Sequence, residues 1–258
     1  VTIINSAPSF LSEASISPAI LIYTGTELTC SATIIDLDDG LLTPTYVWTN
    51  SGVQLGTGPT YTVSNSETDV GASITCTATG TDADLEVITS SASVSIDNTD
   101  PTASNVQISS VSGNFYNDET LTCTATTGDI DAAPTVSYTW SSNSIDLVDT
   151  QTIDLTSISL MPTDSLTCTV DVSDSNGGTA QSSATEAIGN RVPSVDTVSI
   201  SPNTGVLSDS GLTCLATVSD LDGESLSPSY EWFVSGASIG TNDVLQLSNS
   251  LVEPNDSV

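Results

Sequence analysis

One pattern, Leu-Thr-Cys continued by alternating small and polar residues, recurs along the chain and narrows what it can fold into. It reads Leu28-Thr29-Cys30-Ser31-Ala32, Leu121-Thr122-Cys123-Thr124-Ala125 and Leu212-Thr213-Cys214-Leu215-Ala216. Related copies, Ile74-Thr75-Cys76-Thr77-Ala78 and Leu166-Thr167-Cys168-Thr169-Val170, fall between these. Apolar residues at every second position predict strands with one buried face. Trp48, Trp140 and Trp232 follow the first, second and third of the longer copies and supply a large apolar body to the same core. Equivalent cysteines are 93 residues apart from Cys30 to Cys123, 92 from Cys76 to Cys168 and 91 from Cys123 to Cys214. Such near-constant spacing indicates tandem domains whose loops vary by single residues.

Cysteine on one strand, tryptophan on the next and cysteine on a later one is the order of an immunoglobulin-type sandwich. The chain is therefore expected to be all-β, a row of tandem immunoglobulin-like β-sandwiches. The linkers repeat too: Asn5-Ser6-Ala7-Pro8, Asn98-Thr99-Asp100-Pro101 and Asn190-Arg191-Val192-Pro193 share Asn-x-x-Pro. Proline restricts itself and the residue before it, so each linker should be short, stiff and extended. The expected division is residues 1–6 as the tail of a preceding domain and a linker, 7–97 and 98–190 as two domains, and 191–258 as a third lacking its last two strands. On this division Val1 to Ile4 end an earlier strand. The sixth cysteine of the series would fall at about position 260 by the same period.

Pairing of Cys30 with Cys76 and of Cys123 with Cys168 would cross-link each domain through its middle. Cys214 would pair with a residue beyond the chain. Closing a loop of about 46 residues stabilises a domain by roughly 4 kcal/mol in the chain-entropy model. Buried free thiols are the other reading. Disulfides imply an oxidising, extracellular or cell-surface compartment. Zinc is disfavoured, because the chain has no His and no Cys-x-x-Cys.

In the first repeat, strands are expected around Ala14–Leu21, Leu28–Thr33, Thr45–Thr49, Thr60–Val63, Ser73–Thr79 and Ser90–Ile96. The second repeat follows the same order, with a later strand at Ile153–Leu155, and the third places its own at Leu245–Leu247. No segment keeps a helical period, and the apolar run Ala19–Tyr23 is too short to span a bilayer. Membrane insertion of this segment is not expected.

Charge excludes several partners. Thirty-two acidic residues stand against one basic residue, Arg191, for a formal charge of −31. Nucleic acid and anionic membrane surfaces would be repelled. Divalent cations would be attracted, and a solvated surface suited to salty water is the plainer account of the same charge. The acids are interspersed with Ser, Thr and apolar strand residues, so a disordered chain is not expected.

With Asn-x-x-Pro, Ile16-Ser17-Pro18 and Ile200-Ser201-Pro202, Leu-Thr-Cys, Asp-x-Asp and Tyr-x-Trp in fixed order, the chain resembles tandem Ig-like or PKD-like repeats of large prokaryotic cell-surface or extracellular filament proteins. The resemblance covers essentially the whole chain. It implies architecture more than activity, since such domains mostly act as spacers or scaffold. Two features depart from antibody-type domains. Ile74 and Leu166 stand where a corner tyrosine would precede the second cysteine, and the acidic loop lengthens the cysteine-to-tryptophan gap.

Strand parity places two acidic loops of each repeat at the end where the chain enters. The first set is Asp36, Asp38, Asp82 and Asp84 with Asn5. The second is Asp129, Asp131, Asp171 and Asp174 with Asn98 and Asp100. The third is Asp220 and Asp222 with Asn190. Carboxylates converging there would repel one another unless a cation sits among them. Ca²⁺ takes six to eight oxygens from Asp, Asn and backbone carbonyls, so one Ca²⁺ per junction, stiffening the hinge as in cadherin-type arrays, is the expected cofactor. Asx-turns in solvated loops are the alternative. Arg191 stands where the first junction has Thr99. It either neutralises nearby carboxylates in place of part of a metal site or is an ordinary surface residue.

The function expected is an extracellular structural array, a stalk, fibre or surface filament. Its partners would be neighbouring domains or copies of itself. An adhesin or carbohydrate-binding repeat is the alternative, but the three tryptophans share one core position and leave no aromatic platform, with only Phe115, Tyr116 and Phe233 remaining. Lysine is absent, so Lys–Asn isopeptide cross-links cannot form. Catalysis is not expected: without His or Lys, a nucleophile would lack a base and an oxyanion partner. Carboxylate pairs that could hydrolyse glycosides recur in every repeat, unlike a catalytic pair. Asn255-Asp256-Ser257 is a lone glycosylation sequon.

Overall fold

A computed structural model describes every residue except Ile3. The fold is all-β, a series of immunoglobulin-like antiparallel sheets. Residues cluster into two compact units, one of residues 1–107, 124–139 and 169–183, the other of 108–123, 140–168 and 184–258.

The first repeat contributes β1 (Ser9–Ser17), β2 (Glu27–Asp36), β3 (Gly40–Leu42), β4 (Thr45–Asn50), β5 (Val53–Thr57), β6 (Thr60–Thr62), β7 (Ser73–Thr81) and β8 (Val87–Ser95). One sheet runs β1-β2-β3, with β6 also on β2, and the other runs β5-β4-β7-β8. In β7 the burial alternates strictly, placing Ile74, Cys76 and Ala78 inside. The core gathers Leu28, Cys30, Trp48, Tyr61, Ile74, Cys76 and Val94. Trp48, fully buried, donates its indole N–H to the Gly58 carbonyl at 2.9 Å, so its one polar atom is satisfied inside the core. Desolvation, seconded by the hydrogen bond to Glu67, pushes the Tyr61 hydroxyl up to about 12.

The same strands recur as β9 (Thr102–Ser110), β10 (Thr120–Gly128), β11 (Thr135–Ser142), β12 (Ile145–Val148), β13 (Thr152–Asp154), β14 (Ser165–Ser173) and β15 (Thr179–Ala187). Their sheets are β13-β10-β9 and β12-β11-β14-β15. The rest of the chain forms β16 (Ser194–Ser201), β17 (Gly211–Ser219), β18 (Trp232–Val234), β19 (Ala237–Gly240) and β20 (Val244–Gln246), in sheets β16-β17-β20 and β18-β19. Trp140 and Trp232 repeat the indole bond ten residues ahead, to Thr150 and Asn242. A small core around Leu212, Trp232, Leu245 and Val252 packs beside Cys214.

Disulfides join Cys30 to Cys76 and Cys123 to Cys168, each tying a strand of one sheet to a strand of the other. Cys214 is a half-buried free thiol. The opening strand lies earlier than expected, at Ser9–Ser17 rather than Ala14–Leu21. Leu21 takes a left-handed φ of 59°, which breaks any strand through Ala19–Tyr23, and only Ile22 of that run's aliphatic residues turns into the core. Val1, Thr2 and Ile4 have no strand conformation, and Ile3, the other residue of the expected tail strand, lies outside the described residues. No helix among the described residues is long and apolar enough to cross a membrane.

Candidate metal centres at the repeat junctions

Each Asp-x-Asp motif divides its labour between two carboxylates. The first, Asp36, Asp129 or Asp220, folds its own loop. Its Oδ1 accepts the backbone N–H two residues on, from Asp38 at 2.7 Å, Asp131 at 2.9 Å and Asp222 at 2.8 Å. This is the Asx-turn that short acidic side chains favour. In all three, the other oxygen, Oδ2, is buried without a hydrogen-bond partner. Asp36 is only 2% exposed as a residue. A buried ionised oxygen without a partner is costly, and a cation is one group that would satisfy it.

The second carboxylate of the motif holds the incoming linker. Asp38 accepts the Ser6 N–H at 2.7 Å, Asp131 the Thr99 N–H at 2.7 Å and Asp222 the Arg191 N–H at 2.5 Å. In each case the donor is the residue after the linker asparagine. In Asp131 and Asp222 the remaining oxygen reaches the turn before the cysteine-bearing strand of the preceding repeat, or the linker itself. Thr24 Oγ1 donates to Asp131 at 2.5 Å, and Arg191 Nε donates to Asp222 at 2.8 Å. Asn65 adds a bond from its side chain to the Ile130 carbonyl at 2.7 Å.

The loop between the last two strands supplies one acid per complete repeat. Asn5 donates to Asp82 at 3.0 Å and Asn98 to Asp174 at 2.8 Å. The asparagine bond is the main cause that holds the Asp82 carboxyl below its usual range, with help from the N–H groups of Glu86, Asp84 and Leu85. Asn98 and the N–H groups of residues 176–178 act likewise on Asp174. Asp39 bridges the two loops of the first repeat by accepting the Ala83 N–H at 2.8 Å.

Gly178 marks where the second set converges. A Cβ there would stand 2.7 Å from Asp100 Oδ1 and 2.8 Å from Asn98 Nδ2, and would collide with Asp174 Oδ2. Asn98 Oδ1 and the Thr99 hydroxyl are further buried atoms without partners at this junction. Donors that are all hard oxygens, several of them unpartnered, suit Ca²⁺ and give nothing to a softer metal.

Not every expected ligand joins these sets. Asp84 is exposed in its loop and contributes its backbone N–H rather than its carboxylate. Asp171 lies on β14 between the buried Val170 and Val172, so the strand's alternation turns it outward, where it accepts a bond from Gln181 at 2.6 Å. Asn190 is exposed. Asp220, Asp222 and Glu224 bring one carboxylate oxygen each within 4.8 Å of one another.

Sequence reasoning passed over the turns that receive the acids. Arg191 lies 4.7 Å above the Tyr116 ring and binds Asp118 at 2.9 Å and Asn117 Oδ1 at 2.9 Å as well as Asp222. Tyr23-Thr24-Gly25 and Tyr116-Asn117-Asp118 stand at the same distance before Cys30 and Cys123, a register that could have pointed to both.

No protein-family model and no curated protein matches the chain. Among solved structures it is similar to the three N-terminal domains of the bacteriophage RB49 Highly Immunogenic Outer Capsid protein (Hoc). That likeness has 16% sequence identity, covers 93% of this chain and 84% of that one, and has a TM-score of 0.27. It is also similar to the FN1–FN3 domains of chicken CNTN1, with 13% identity, 97% and 90% coverage and a TM-score of 0.30. Both likenesses concern fold alone.

Proposed function

We propose that this chain is part of an extracellular structural array, a stalk, fibre or surface filament whose repeats act as spacers, with Ca²⁺ bound where repeats meet. The observation that carries this reading is the threefold recurrence of one junction: an Asx-turn aspartate with a buried free oxygen, and a second aspartate gripping the linker N–H. A repeated linker grip suits a protein that must transmit position along its length, and the disulfides brace the sandwiches between grips. Tandem Ig-like sandwiches with disulfides fit an oxidising environment outside the cytoplasm.

Asp36, Asp82 and Asn5 would hold the ion at the first junction, and Asp129, Asp174, Asp100 and Asn98 at the second. The ion would supply positive charge where the chain has none of its own nearby, offsetting carboxylate repulsion and tying both loops to the linker. Titration of Ca²⁺ into chelator-treated protein, followed by thermal melting, tests the ion; a rise in midpoint that saturates is expected, and an unchanged midpoint rejects it. Electron microscopy of the native material tests the array: regularly beaded filaments or stalks support it, and isolated globular particles reject it.

A further inference from the structure

The junctions differ in where their positive charge comes from. At the Asn98 junction, Asp100, Asp129, Asp131 and Asp174 meet no basic side chain, because Arg191 is the chain's sole Lys or Arg. Asp129 Oδ2 and Asn98 Oδ1 stay unpartnered there, and the contact to the preceding turn is the neutral hydroxyl of Thr24. The matching Asp36 oxygen in the previous set belongs to a residue 2% exposed, so the gap is a repeated feature rather than a single loop's irregularity.

At the Arg191 junction Asp220 Oδ2 is unpartnered in the same way, but the second carboxylate and the preceding turn meet a guanidinium instead of a neutral hydroxyl. Arg191 N–H and Nε take both oxygens of Asp222, at 2.5 and 2.8 Å. Its NH1 pairs with Asp118 at 2.9 Å, and its NH2 reaches Asn117 Oδ1 at 2.9 Å and the Leu221 carbonyl at 3.3 Å. Tyr116 closes the planar face of the guanidinium. Asn117 donates onward to the Asp222 carbonyl at 2.8 Å, so the turn is bound to the loop from both directions. Arg191's side chain is 17% exposed, and Asp222's is 0%. A charged, forked donor on a buried carboxylate is the strong form of such a bond.

We infer that the array has two kinds of junction: the one at Asn98 depends on a bound divalent cation, whereas the one at Arg191 carries its cation covalently and is held without an ion. Arg191 acts as a tethered counter-charge. Asp220 and Glu224 remain beside it, but the carboxylate they would share with an ion, Asp222, is already occupied. The inference rests on the Ca²⁺ reading above for its first half and on the guanidinium contacts alone for its second. Removing calcium would then loosen the array at chosen points and leave others rigid.

Two equivalent amides report the outcome in the unaltered chain. The Thr99 and Arg191 N–H groups each donate to the second Asp-x-Asp carboxylate. Hydrogen exchange of both is measured with millimolar Ca²⁺ and with EDTA. Thr99 should lose protection by tenfold or more on chelation, while Arg191 changes less than twofold. In R191T, the Arg191-position amide should lose protection by tenfold or more in EDTA. A rescue by Ca²⁺ in that variant would show that the site beneath can accept an ion once the guanidinium is gone, and no rescue would leave the tether as its sole brace; either supports the assignment to Arg191. Equal loss at both amides on chelation overturns the inference while leaving the Ca²⁺ reading standing. No response at Thr99 removes the Ca²⁺ reading and the contrast with it. Unchanged protection in R191T overturns the tether by itself.

Discussion

The side-chain amide of Asn98 donates to the carboxylate of Asp174 across 2.8 Å, joining a linker to a loop 76 residues further on. Asn5 and Asp82 make the same bond 77 residues apart. A long-range bond of this kind closes each repeat onto its own entrance, and it leaves a pH signature.

Both carboxyls are held below their ordinary range, first by the asparagine. Their contribution is therefore complete above the unfolded value, about 3.9 for Asp, and is lost as pH falls through the lower folded value. Melting temperature should drop on acidification below about pH 4. In N5A and N98A the neutral-pH midpoint should be lower and the acid-induced drop smaller, as a melting series from pH 7 to pH 2.5 would show. A full-sized acid drop in both variants would assign the effect to other carboxylates.

Reduction should cost each sandwich roughly 4 kcal/mol, since each disulfide closes a loop of about 46 residues. C30A/C76A and C123A/C168A, compared with the oxidised parent by urea denaturation, should each lower the stability of one transition and spare the other. Reduced midpoints equal to the parent's would mean the cross-links add nothing to equilibrium stability.

Gly80 on β7 faces Ile34 on β2 across the sandwich. A Cβ there would stand 2.6 Å from Ile34 Cδ1 and 3.0 Å from its Cγ2. Ile34 is fully buried and cannot swing away. G80A should destabilise the first sandwich by about 1–3 kcal/mol through overpacking, and G80A/I34V should recover part of that. Chemical denaturation of the two variants checks the order.

Gly178 is the point to attack the second candidate metal centre. Its missing Cβ leaves room for Asp174, Asp100 and Asn98 to converge. G178A should abolish the part of the calcium-induced melting shift due to this site. Ordinary far-UV circular dichroism and retention of the Cys123–Cys168 bond would show that the sandwich survives. A shift of parental size would place the ion elsewhere.

Much of the fold was legible because burial imposes a local pattern. Leu121, Cys123 and the alternating threonines read as a half-buried strand before any coordinates, and the tryptophan spacing predicted a core position that all three indoles occupy. The short strands β3 and β5 were not legible. Gly40–Leu42 and Val53–Thr57 carry no clean alternation, and pairing with β2 and β4 is what makes them strands. The strand expected around Ala14–Leu21 misled at its far end: β1 stops at Ser17, and Ile20 and Leu21 remain exposed.

At the junctions, spacing brought the acidic loops and linker asparagines to notice but could not rank the acids. Asp171 and Asp174 are equivalent by composition. Strand phase separates them, turning Asp171 to the outer face of β14 and leaving Asp174 in the loop beside Asn98. Arg191 was conspicuous as the only base, while Tyr116, Asn117 and Asp118 were marked only by sharing the register of Tyr23-Thr24-Gly25.

By itself the sequence determined the class, the period and the cysteine pairing positions, because period-two burial and a recurring Cys-Trp-Cys order depend on neighbours within a few residues. Tertiary structure decided which oxygens meet, which remain unpartnered and where the lone guanidinium lies. Those outcomes depend on strand phase and loop closure between residues tens of positions apart, and distances of a few ångströms between such groups are written only in the folded chain.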